Sequence, residues 1–137
     1  MDATARALRE FVAVVVRSTR SASMSRVAAA TLSLLERQGP LRITDLAERE
    51  AVTQPAMTGL VQRLEQAGHV ARSPDPADGR ASLISITTAG VAALGARRAE
   101  QDARIAAWLA TLPPEQLATV ESALPALTTA MEDHALV

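Results

Sequence analysis

Residues 73–90, SPDPADGRASLISITTAG, constrain the fold more tightly than any other stretch of the chain. Two prolines, two aspartates and a glycine crowd into seven residues, 74–80, and this mixture reads as a loop. LISIT follows; it alternates and is rich in β-branched residues, the pattern of a strand. Thr-Thr-Ala-Gly then offers a threonine to cap a new helix. Just upstream, VTQPAMTGLVQRLEQAGHVAR reads as a helix followed by a short strand. Arg80 stands at the tip of the charged loop.

The rest of the chain reads as helix. Leu8, Phe11, Val12 and Val15 share one face of a helix over 2–21. A serine-rich break follows, and Ser23 or Ser25 can cap a helix over 26–37, with Val27, Leu32 and Leu35 inward. Gly39-Pro40 stops it, and residues 41–43 suit a very short strand. Thr44 can cap TDLAERE, and a tight turn at Ala51-Val52 leads to a second cap, Thr53. The helix over 54–67 tolerates Pro55 in its first turn, buries Met57, Leu60, Val61 and Leu64, and ends at Gly68. Val70–Arg72 and Leu83–Thr87 pair as a hairpin.

A helix over 88–111 carries the stripe Val91, Leu94, Arg98, Gln101, Ile105, Trp108, Leu112 at 3-4 spacing. Pro113-Pro114 separates it from a last helix with Leu117, Val120, Leu124, Leu127, Met131 and His134 on one face. Pro125 should kink that helix by removing a bond to residue 121. The fold class is therefore mainly α: a winged helix-turn-helix with a small antiparallel wing at 24–87. The flanking helices, 2–21 and 88–135, read as a dimerisation region of a single 1–137 domain, because their apolar stripes exceed what the winged unit can cover.

Composition narrows the function. The core draws on alanine, leucine and valine, with only Phe11 and Trp108 as large rings, which is thin for a lone monomer. The chain has no cysteine, which excludes disulfides and a thiol-based redox sensor. No long apolar run or signal peptide is visible, so a cytoplasmic protein with no membrane partner is expected. No nucleophile, phosphate-cradling loop or metal-ligand cluster points to an enzyme, a cofactor or a metal. Net charge is −1, and residues 40–90 hold five arginines against six acids. Affinity for a polyanion must then come from where the arginines sit.

Three stretches resemble the MarR family of bacterial transcription regulators. ITDLAEREAVTQPAMTGLVQRLEQAGHVAR resembles its helix-turn-helix. DPADGRASLISITTAG resembles its wing signature, with Asp78, Arg80, Thr87 and Gly90 in the key places. The flanking helices have the expected lengths. The resemblance implies a homodimer, repression at an inverted-repeat operator in double-stranded DNA, and release by a small aromatic or anionic effector. The helix over 54–67 would enter the major groove and the wing the minor groove. Gly59 departs from relatives that carry an arginine there, and His69 stands where leucine or phenylalanine is usual. The cysteine of the redox-sensing branch and the ligand cluster of the zinc-sensing branch are both missing.

Candidate DNA contacts follow. Thr53, Gln54, Ala56 and Thr58 open the recognition helix, where base reading occurs. Gln54 can pair bidentately with adenine, and threonine or alanine can meet a thymine methyl. Thr53 equally suits ordinary capping, and Met57 reads as packing. Arg63 suits a phosphate or a helix-surface ion pair; Arg42 and Arg72 are weaker phosphate candidates. Arg80 suits the negative potential of a narrow minor groove, and Asp78 braces the wing. Phe11, Val15 and Met24 are expected at the wall of an effector pocket, with Arg17 or Arg20 meeting an anionic group. Phe11 and Trp108 equally suit core or interface, and His69 a half-buried wing root. The alternative function is a winged-helix protein-interaction module without sequence-specific DNA binding.

Overall fold

A computed structural model describes residues 2–135. The elements run α1 (Ala3–Ser18), α2 (Arg26–Gln38), β1 (Leu41–Arg42), α3 (Ile43–Arg49), α4 (Gln54–Gln66), β2 (Val70–Pro74), β3 (Ser82–Ile86), α5 (Thr88–Leu109) and α6 (Pro114–Ala135). They fall into two compact units, the first ending at Glu100 and the second beginning at Gln101.

Cap chemistry sets most boundaries of the first unit. Ser25 Oγ accepts the Ala28 N–H at 3.2 Å and starts α2; Gly39, with φ 80°, ends it. The expected Thr44 cap is corrected: α3 begins at Ile43, and Arg42 occupies its cap position without a side-chain capping bond. Arg42 still belongs to β1, paired with Leu83, so the helix starts directly where the strand stops. After α3, the Ala51 N–H bonds Glu48 O at 3.2 Å and the Val52 N–H bonds Ala47 O at 3.0 Å. These two bonds form a Schellman motif, which needs a left-handed residue at Ala51, φ 52°. α4 ends in the same motif with Gly68 at φ 79°, where the glycine adopts it without strain.

The core lies between Met24 and Leu94. Leu32, Leu35, Leu46, Met57, Val61 and Ile84 are its most deeply buried apolar members in the helix-turn-helix and sheet. All four expected inward residues of α4 are buried. Each such side chain contributes about 2 kcal/mol relative to exposure. Val27 is corrected: it is 41% exposed. The buried arc of α2 runs through Ala28, Thr31, Leu32 and Leu35. Val27 lies on its flank in the first turn, at the mouth of a groove against α4.

The sheet order is β1-β3-β2, antiparallel throughout. The hairpin is longer than its sequence pattern suggests, pairing Val70 with Ile86 through to Pro74 with Ser82. Pro74 is tolerated because β2 is an edge strand.

Thr87 locks the hairpin to α5. Its N–H bonds His69 O at 3.0 Å, its hydroxyl donates to Gly68 O at 2.6 Å, and its Oγ1 accepts the Gly90 N–H at 3.0 Å. The backbones come so close that a Cβ on Gly90 would lie 2.1 Å from His69 O.

The second unit holds the end of α5 and all of α6. Pro125 lies inside α6, which continues on both sides of it. No residue of α6 or of α1 is buried. No helix among the described residues is long and apolar enough to cross a membrane.

Gly90→Ala should therefore destabilise the chain by about 2 kcal/mol or more, since a backbone oxygen must move to admit the methyl. Gly95→Ala, where nothing lies within 4 Å of the new Cβ, should instead stabilise by up to about 1 kcal/mol. Urea midpoints of the two variants moving in the same direction would contradict this packing.

Candidate nucleic-acid interface

The outer end of α4 is open. Thr53 Oγ1 accepts the Ala56 N–H at 3.3 Å, so this threonine is the cap and its side chain stays at the surface. Gln54 and Ala56 are exposed and Thr58 is half-buried, while Met57 between them is fully buried. Packing thus takes Met57 and leaves Gln54 and Ala56 outward. Arg63 is exposed and leans back over Gly59: its Nη1 lies 3.5 Å from the place a Cβ on Gly59 would occupy. A helical side chain points toward the N-terminus, so this guanidinium is carried one turn closer to Gln54 and Ala56.

The wing loop joins β2 to β3. Arg80 crowns it, with 94% of its side chain exposed. One oxygen of Asp78 accepts both the Arg80 N–H at 3.1 Å and its Nε–H at 3.3 Å. The Ala81 N–H bonds Asp78 O at 3.0 Å and closes the turn. An exposed pair of this kind is worth under about 1 kcal/mol. It orients the arginine without sequestering it.

A second acid organises the loop from beneath. Asp75 is buried. Its Oδ1 accepts the Ala77 N–H at 2.9 Å, its own N–H bonds Ala81 O at 3.0 Å, and its Oδ2 accepts the Arg42 Nε–H at 2.6 Å. The Ala77 N–H, then the Arg42 guanidinium, hold the carboxyl below its ordinary value of 3.8; burial pushes the other way and is outweighed. From the sequence Arg42 is a weaker phosphate candidate, and Asp75 carries no role of its own. The turn bond to Ala77 was legible as an Asx pattern, but the partner 33 residues away was not. Arg72, the other phosphate candidate, pairs with Glu65 at 3.2 Å.

The residues expected around an effector pocket differ widely in exposure. Met24 belongs to the core, Val15 is half-buried, and Phe11 is 60% exposed on α1. Arg17 and Arg20 are also exposed. A cavity of about 260 Å³ lies elsewhere, lined by Ser25, Val27, Val52, Ala56, Leu60 and Arg63. His69 is half-buried at the wing root.

A family model described as MarR family matches residues 22–82, from before α2 to the start of β3. The HTH-type transcriptional regulator Mb0904 of Mycobacterium bovis is 34% identical over 128 residues, covering 88% of this chain and 83% of its own. The crystal structure of the transcriptional regulator Tm0710 from Thermotoga maritima is similar with a TM-score of 0.81 and 28% identity, over 98% of this chain and 97% of that one. A variant of MepR from S. aureus, solved bound to an oligodeoxyribonucleotide, has a TM-score of 0.70 over 96% of this chain and 99% of its own. At 19% identity it is similar in fold alone.

Because the folded carboxyl of Asp75 is the stronger acid, its ionised form stabilises the fold. That contribution is complete above pH 3.8 and drains as pH falls through the lowered folded value. Asp75→Asn should lower stability at about pH 7 and flatten the acid limb, as read from urea titrations at descending pH. An acid limb identical to that of the parent chain would count against the pairing.

Proposed function

The chain belongs to the MarR family of transcriptional regulators, and from that membership we propose that it is a homodimeric repressor of an inverted-repeat operator. The single observation that carries this reading is the exposed Arg80 guanidinium on a braced loop, in the same compact unit as an α4 whose reading end is open. In the reading, α4 lies in the major groove. Gln54 reads adenine, Thr58 and Ala56 meet thymine methyls, Thr53 sets the start of the helix, and Arg63 meets a phosphate. Arg80, oriented by Asp78, enters a narrow A·T-rich minor groove. The MepR complex with an oligodeoxyribonucleotide supports DNA as the ligand of this fold. The regulators of this family are a non-enzymatic class.

What one chain leaves uncovered supports the dimer in this reading. Phe11, Val12 and Val14 on α1, Trp108 on α5, and Leu124, Leu127 and Met131 on α6 are all exposed large apolar residues. Met131 is 64% exposed. A second copy covering these stripes gains apolar burial that one chain lacks. Phe11, Val15 and Met24 would then wall an effector site completed in the dimer. A small aromatic or anionic ligand favouring a dimer with the wrong recognition-helix separation would release the operator.

Light scattering at micromolar concentration should give twice the mass of one chain, and a stable monomer would refute the assembly. Arg80→Ala should weaken binding to a promoter-derived inverted repeat by roughly 10- to 100-fold in a gel shift, and Gln54→Ala should cost about 1–3 kcal/mol of preference at one base pair. If no palindrome is enriched from genomic fragments, a protein-interaction module becomes the better reading.

A further inference from the structure

The Arg42–Asp75 pair ties together two parts of the molecule that the proposed DNA reading uses separately. Arg42 is the last residue of β1 and stands at the cap position of α3. Asp75 follows the last residue of β2, and β3 lies between the two strands. The guanidinium therefore spans the sheet to reach the buried carboxylate. The same carboxylate and its backbone N–H hold both sides of the wing loop, through Ala77 and Ala81. Ala81 follows Arg80 directly and is bonded to Asp78. Arg80 itself meets Asp78 through an exposed ion pair and a backbone N–H bond to the same carboxylate oxygen. A loop held solely by those contacts would let its tip wander, because exposed pairs are weak.

We propose that Arg42 and Asp75 are positioning residues: the half-buried pair makes the wing loop and the start of α3 one rigid piece, and so fixes where Arg80 is presented relative to the recognition helix. The proposal rests on the wing acting at the minor groove. It assigns Arg42 an internal role in place of the phosphate contact its charge suggests. With the carboxylate neutralised, Arg42 is released toward solvent and the loop keeps only its turn bonds.

The test compares the full chain with Asp75→Asn, Arg42→Met, Arg80→Ala and the Asp75→Asn/Arg80→Ala double variant. Asparagine retains an acceptor for the Ala77 N–H, and methionine retains much of the arginine stem. In the free protein, NMR order parameters of the Ala77, Arg80 and Ala81 amides should fall in both Asp75→Asn and Arg42→Met, with those of α4 unchanged. On the operator, Asp75→Asn should weaken binding about tenfold in the parent chain and less than about twofold in the Arg80→Ala background, since the pair acts through that arginine. Equal losses in both backgrounds would overturn the proposal. So would tighter binding with a steeper salt dependence in Asp75→Asn, which would mark Arg42 as a phosphate ligand held in reserve. If Arg80→Ala binds like the parent, the minor-groove reading fails on its own. The order parameters still decide the positioning role: wing amides as rigid as in the parent would overturn it whether or not DNA is bound.

Discussion

The inner face of α4 is the contact on which the rest depends. Met57, Leu60, Val61 and Leu64 are buried together with Leu32 and Leu35 of α2, Leu46 of α3 and Ile84 of β3. One helix face is consumed by this packing, and the opposite face is thereby held outward in a fixed rotation. The exposure of Gln54 and Ala56 is a consequence of where Met57 is anchored. Interiors pack at near-crystalline density. The helix therefore cannot roll to offer different residues without opening the core.

The second constraint is the junction at the root of the wing. Gly68 and His69 leave α4, and Thr87 and Gly90 enter α5; Thr87 donates to the backbone oxygens of both Gly68 and His69 and accepts the Gly90 N–H. Gly90 is needed there for the close approach of two backbones. The end of the recognition helix, the hairpin and the start of α5 thus share one hydrogen-bonded knot. A displacement at the start of α5 would strain β2 through the same bonds.

Electrostatics in the winged unit is a matter of allocation. Arg42 is committed to Asp75, Arg72 to Glu65, and Arg98 joins α5 to Glu36 of α2 at 3.2 Å. Arg63 and the side chain of Arg80 remain outward. A nearly neutral chain can in this way present exposed cationic groups on α4 and on the wing loop. Net charge then says little about polyanion binding, because acids that brace the scaffold offset arginines that brace it too.

Local chemistry determined much of this protein from sequence alone. A cap at Ser23 or Ser25, the cap at Thr53, a threonine cap at Thr87-Thr88, the Gly68 terminus, the four-residue stripe of α4 and the hairpin all follow from propensity, periodicity and turn residues within a few positions of one another. The tertiary structure decided what depends on partners far along the chain. Arg42 has its carboxylate 33 residues away, so no local signal separates a bracing arginine from a DNA-facing one. α3 starts at Ile43 because β1 pairs with β3, and not because Thr44 can cap. Val27 sits at the edge of the core because the buried arc of α2 is set by the elements it meets, which its own spacing does not reveal. Periodicity tells which residues want burial; only the packed neighbours decide which of them obtain it.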